Sequence, residues 1–340
     1  MVVSQLPTRQ PNERRKKGEK MRNKNSSCIN FLKKNAEFAD IANLALFQGN
    51  PVIKAEHLFE LDTSELIHIT KTNSTAKSIP VQRYRDVLKS VKPNEKETYN
   101  IRLIIGNEAQ SEVHYAMPVR NMLYDALNYA DQVNELAASN HKNKKYSNSG
   151  EFLSGITKND RLIPVITIVI FFKSGGWDGP LTLYQMLDFN EIPDSLKDSI
   201  PDYKMILISP ESLKEEDLKK MTSTAGYVLG AIKYSANGKE LKSYLERNKD
   251  ALTHFPGYAA TVVNEFCNLK MKQNDLEKEV VDMCQAVIDI REEGITEGIE
   301  QMIQNALSKG HTPEEIVDFM GASLEDVLIV QERLLQEAKL

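Results

Sequence analysis

The stretch LIPVITIVIFF at 162–172 is apolar on both faces and rich in β-branched residues. Such a run reads as a strand covered by helices on both sides, rather than one with a wet face. It has Pro164 inside and only 11 residues, far short of the roughly 20 that a membrane helix needs. Downstream, Met205–Ile208 predicts a further short buried strand. Upstream, DVLKSV at 86–91 and YNIRLII at 99–105 predict two strands joined by a polar turn at 93–96. Helices flank these strands. Over 35–49, Phe38, Ile41, Ala42, Ala45 and Leu46 recur at helical spacing, and Gly49 and Pro51 end the run. From about Pro118 to Val133 a second stripe carries Val119, Met122, Leu123, Ala126, Leu127 and Ala130. Residues 138–160, rich in Asn, Ser and Lys, read as an exposed loop. Strands interleaved with helices define an α/β domain, expected over 35–250.

From about Ser209 the pattern turns helical, which predicts a helical C-terminal region over 251–340. Gly294 and Gly298 lie four apart in its longest stretch, 274–307. Each costs a helix about 1 kcal/mol, so close packing or a break is expected there. A compact helix pair closes the chain: Thr312, Pro313 and Glu315 form the start of one helix, Gly321 its end, and Ser323 caps the next. The pair resembles a helix-turn-helix in spacing, with Gln331 and Arg333 as its base-reading residue types. A plain packing unit is the alternative.

Charge is unevenly placed. The formal net charge is −5, yet residues 1–34 hold ten Lys/Arg against two acids, which leaves −13 on the rest. Arg14-Arg15-Lys16-Lys17 sits among polar residues without apolar period, so 1–34 reads as a basic disordered arm able to hold a phosphate backbone, or as a solvated tail. With 41% hydrophobic and 27% charged residues, the chain can bury a core. Cys28, Cys267 and Cys284 form no C-x-x-C pair, which argues against a disulfide framework or a cysteine zinc site. No apolar stretch follows the basic N-terminus, so a cytoplasmic protein without a membrane partner is expected.

Asp86 opens one predicted strand and Glu108-Ala109-Gln110 closes the next. Side chains alternate along a strand, so Glu108 and Gln110 share a face. If the two strands pair antiparallel, Asp86 lies across from Glu108. Two carboxylates so placed suit a hard divalent cation such as Mg²⁺, which activates water and stabilises phosphodiester cleavage. The alternative is a pair of strand-end acids matched to Lys or Arg. Asp40, with Glu37, supplies a further acid from the first helix, as a third metal ligand or as an ordinary solvent-facing residue. Arg120, Tyr124 and Asn128 follow at four-residue steps. Arg120 and Tyr124 are the nucleic-acid-binding expectation; pairing of Arg120 with Asp125 or a strand acid, with Tyr124 in the core, is the competing one.

The phrases carrying these residues are FADIANLALFQGNPVIKAEHL at 38–58, YRDVLKSV at 84–91, IIGNEAQ at 104–110, YAMPVRNMLYDALNYADQV at 115–133 and LIPVITIVIFFKSGGWDGPLTLYQML at 162–187. Over roughly 35–310 the sequence resembles the Rpn family of recombination-promoting nucleases, or YhgA-like transposases, within the PD-(D/E)XK superfamily. The resemblance implies a restriction-endonuclease-like mixed sheet flanked by helices, and Mg²⁺-dependent DNA endonuclease activity linked to recombination or mobile elements. It also implies Asp86, Glu108 and Gln110 as catalytic residues, and a homodimer for double-strand cutting. Gln110 stands where the superfamily usually has lysine. A catalytically weak or inactive relative that binds DNA or a protein partner is the second expectation.

Overall fold

A computed structural model describes residues 25–69, 79–93 and 101–337 of the chain. In chain order, α1 (Asn35–Phe47) leads to β1 (Leu58–Glu60), a hairpin of β2 (Ser64–Ile69) and β3 (Ile79–Tyr84), then β4 (Val87–Val91) and β5 (Leu103–Gln110). The long helix α2 (Met117–Asn143) and the short α3 (Ser149–Ser154) precede β6 (Val165–Phe171) and β7 (Ile206–Ile208). Five strands form one mixed sheet in the order β1-β4-β5-β6-β7. The first three are antiparallel, and β5, β6 and β7 run parallel. Parallel β5 and β6 need a crossover, and α2 supplies it.

Both sheet faces are covered, as the apolar run at 162–172 requires. On one face Leu103, Ile105 and Ala109 of β5 and Ile168 and Ile170 of β6 join the main core. Phe38 and Ile41 of α1, and Val228 and Ile232 of α4 (Ala225–Tyr234), close over them. On the other face Leu88, Ile104 and Val165 pack with Tyr129 of α2, while Met117, Val169 and Met205 form a second small cluster.

Four boundaries differ from the sequence reading. Residues 25–32 are helical, and Cys28, Phe31 and Leu32 are buried in the main core; the arm expected over 1–34 therefore ends earlier, and residues 1–24 lie outside the described residues. Helix α2 continues to Asn143 because Glu135, Leu136, Ala137 and Ala138 sustain it past Val133, and α3 occupies part of the expected loop. Strand β5 starts at Leu103 and runs to Gln110, past the 99–105 bounds, with Glu108-Ala109-Gln110 closing it as expected; residues 94–100, with most of the expected turn and the start of the expected second strand, lie outside the described residues. The main core also crosses 250: Phe255, Ala259, Val262 and Met283 belong to it, two of them on α5 (Gly257–Cys267).

Helix α6 (Met283–Ser308) passes Gly294 and Gly298 without a break. Beyond it, α7 (Pro313–Met320) and α8 (Leu324–Glu337) form the expected pair. Thr312 and Glu315 complete the capping box, and Gly321 ends α7 at φ +68°. Ile303, Ala306, Ile316, Val327 and Val330 form a separate core there. Arg333 is drawn back to Glu300 of α6 at 3.1 Å.

Candidate functional site

The register of β4 and β5 pairs Val87 with Asn107, so the next step outward sets Asp86 opposite Glu108. A direct bond fixes this end: Asp86 Oδ2 accepts the Ala109 N–H at 2.9 Å. Glu108 shares its face with Ile104, Gly106 and Gln110, the face that α2 covers. Its side chain is 0% exposed, and Arg120 Nη2 stands 3.1 Å from its Oε2. The Arg120 contact is an ion pair that makes no well-aligned hydrogen bond. Burial first, and then the negative charge of Asp86, push the Glu108 carboxyl up to about 8 against the opposing charges of Arg120 and Arg85 and the Asp86 backbone N–H. Burial also raises Asp86, opposed by the Ala109 N–H and Arg120. The two acids thus feel each other, and each is costly to ionise without a positive partner.

Arg120 also donates through Nε to the Tyr124 hydroxyl at 3.1 Å. Tyr124 is 2% exposed, and two guanidinium groups lie within cation–π reach of its ring, with Arg85 Cζ at 5.2 Å and Arg120 Cζ at 5.4 Å from its centroid. The nucleic-acid role expected for Tyr124 is corrected here: buried beneath α2, it offers no face to a strand and instead orients two arginines. Arg120 is paired with the strand acid, and its side chain keeps 26% exposure.

Sequence reasoning missed the buried network beside this pair. Arg85 donates from Nη1 to Thr167 Oγ1 at 2.7 Å and from Nη2 to Asp125 Oδ1 at 3.0 Å. Thr167 donates to Asp125 Oδ1 at 2.7 Å, and the Tyr203 hydroxyl donates to Oδ2 at 2.6 Å. A Cβ at Gly106 would lie 2.4 Å from Arg85 Nη1, so only glycine lets the guanidinium cross the sheet. The sequence signal was a charged pair, Arg85-Asp86, at the head of an apolar strand. Asn121 was missed as well: it is 0% exposed with neither amide atom bonded.

Gln110 ends β5, half-buried, and its carbonyl accepts the Phe172 N–H at 2.8 Å. Asp40 is not brought to the pair. Helix α1 lies on the opposite face of the sheet, and Asp40 Oδ2 accepts the Ser223 N–H at 2.6 Å ahead of α4. Glu37 accepts from Thr224 and Tyr258 on that same side. The third-ligand expectation for Asp40 is therefore corrected: its oxygen serves a helix entry. Among the described residues no group of three His, Cys, Asp or Glu gathers for a metal, which leaves Asp86 and Glu108 as a two-carboxylate set. No helix among the described residues is long and apolar enough to cross a membrane. No family model, curated protein or solved structure matches the chain.

Proposed function

We propose that the protein is a divalent-cation-dependent DNA endonuclease with a restriction-endonuclease-like core, in which Asp86 and Glu108 hold the cation. The observation that carries this reading is the register that sets Asp86 across from Glu108, two carboxylates on one face of adjacent strands. Two hard carboxylate groups so placed fit Mg²⁺ or Mn²⁺. The chain order α1, β1, β4, β5, α2, β6, with antiparallel strands before the crossover and a parallel one after it, supports the same reading.

A cation so held would lower the pKa of bound water and neutralise charge developing on the scissile phosphate. The side chains divide the remaining work. Asp86 and Glu108 provide negative charge on adjacent strands, held at a fixed spacing by the ladder. Gln110, two residues along on the Glu108 face, can orient a water through its amide but cannot take its proton, as it has no titratable group. A lysine at that position would bring a positive charge, so this arrangement predicts slow turnover.

Nicking of supercoiled plasmid in Mg²⁺ tests the proposal. Asp86→Ala and Glu108→Ala are each expected to slow nicking by about 10²-fold or more, the scale of losing one electrostatic stabiliser. Equal cutting by both folded variants would refute the assignment. A second reading, a DNA-binding relative without catalysis, is favoured by the ion pair that occupies Glu108. It predicts salt-dependent DNA binding with no Mg²⁺-dependent nicks.

A further inference from the structure

We propose that Arg120 is the resident counter-ion of the Asp86–Glu108 pair, and that a divalent cation displaces it outward, where its guanidinium takes a phosphate of the substrate strand. The inference rests on the nuclease reading of this site and adds a mobile part to it.

Three observations meet here. Glu108 has no exposed surface of its own, whereas the Arg120 side chain, 3.1 Å away, is 26% exposed. Of the two side chains, only Arg120 reaches solvent. Arg120 makes no well-aligned hydrogen bond to either Glu108 oxygen, so the contact lacks the bidentate geometry that makes such pairs strong. Besides this ion pair, the Nε–Tyr124 hydroxyl bond at 3.1 Å and the Tyr124 ring, 5.4 Å from Cζ, hold the head group.

Charge counting gives the direction. Around a bound cation Glu108 gives up its proton and the two carboxylates carry −2, while Arg120 returns only +1 and Arg85 is committed to Asp125. A divalent cation balances the pair alone, and the guanidinium then becomes a surplus positive charge in a poorly solvated site, where repulsion is strong. Its exposed side offers the way out. A guanidinium released next to a cation-bound phosphate has the planar donor fork suited to a second phosphate oxygen.

Mn²⁺ binding to the full chain, followed by the electron paramagnetic resonance signal of free Mn²⁺, tests the exchange without any turnover. Arg120→Met is expected to bind Mn²⁺ at least about tenfold more tightly than the wild type, equivalent to about 1.4 kcal/mol. Asp86→Ala is expected to lose binding. In the wild type, phenylglyoxal labelling of Arg120, read by peptide mass spectrometry, should quicken severalfold at saturating Mn²⁺; this arm does not depend on a variant folding. Unchanged labelling with bound Mn²⁺, or no tighter binding by folded Arg120→Met, overturns the displacement while leaving the cation site in place. Absence of Mn²⁺ binding in both proteins removes the cation site itself, and the nuclease reading with it.

Discussion

Glu108 is an acid whose protonated form the fold prefers. Its carboxyl titrates at about 8, against an ordinary 4.5, because burial and then Asp86 penalise the charge. The folded state holds this proton more tightly than the unfolded chain does. Its contribution to stability is therefore complete below about pH 4.5 and is lost as the pH rises through about 8. Without metal, in chelator, the wild type is expected to lose more than about 1.4 kcal/mol between pH 5 and 9, the worth of one pKa unit. Glu108→Gln should remove that loss and be the more stable protein at pH 9. Parallel urea midpoints across this range would contradict the burial argument. Gly106 makes a second prediction at this scale. A methyl group there meets Arg85 Nη1, which is already committed to Thr167 and Asp125. Gly106→Ala is expected to cost about 1–3 kcal/mol, as overpacking does, measured by denaturant unfolding.

At the scale of elements, the fold was legible wherever one pattern dominated. The two-faced apolar run located β6, and the Phe38–Ile41–Ala42 spacing located α1 on the main core. Thr312, Glu315 and Gly321 gave both ends of α7, because caps are local chemistry. Partners distant in sequence were not legible. Arg85 meets Asp125 across 40 residues and Thr167 across 82, and no spacing rule links them. Asp40 was misplaced for the same reason: helical period puts it on a polar stripe, but only the sheet decides which face that helix covers. At the glycine pair in α6 close packing or a break was expected, and the helix runs on without a break, since intrinsic cost yields to a helix anchored at both ends. A Cβ at Gly298 would meet nothing within 4 Å. Gly298→Ala should therefore stabilise the protein by about 0.5–1 kcal/mol, checked by thermal unfolding; a loss of stability would mean that the helix needs flexibility there.

Besides the two small clusters on the α2 face of the sheet, the described residues hold a large core on the sheet and a small one near the C-terminal end, and α6 contributes to both. Met283 is buried in the first, and Ile303 and Ala306 in the second. At 1.5 Å per residue, Met283 and Ile303 stand about 30 Å apart along the helix axis. Few side chains can couple melting across that length, so each apolar centre governs its own surroundings. Scanning calorimetry should consequently resolve two endotherms of unequal enthalpy in place of a single one, and a calorimetric enthalpy larger than the van't Hoff value. Heat would then release α7, α8 and the end of α6 they pack on, while leaving the sheet, and the acids it positions, intact.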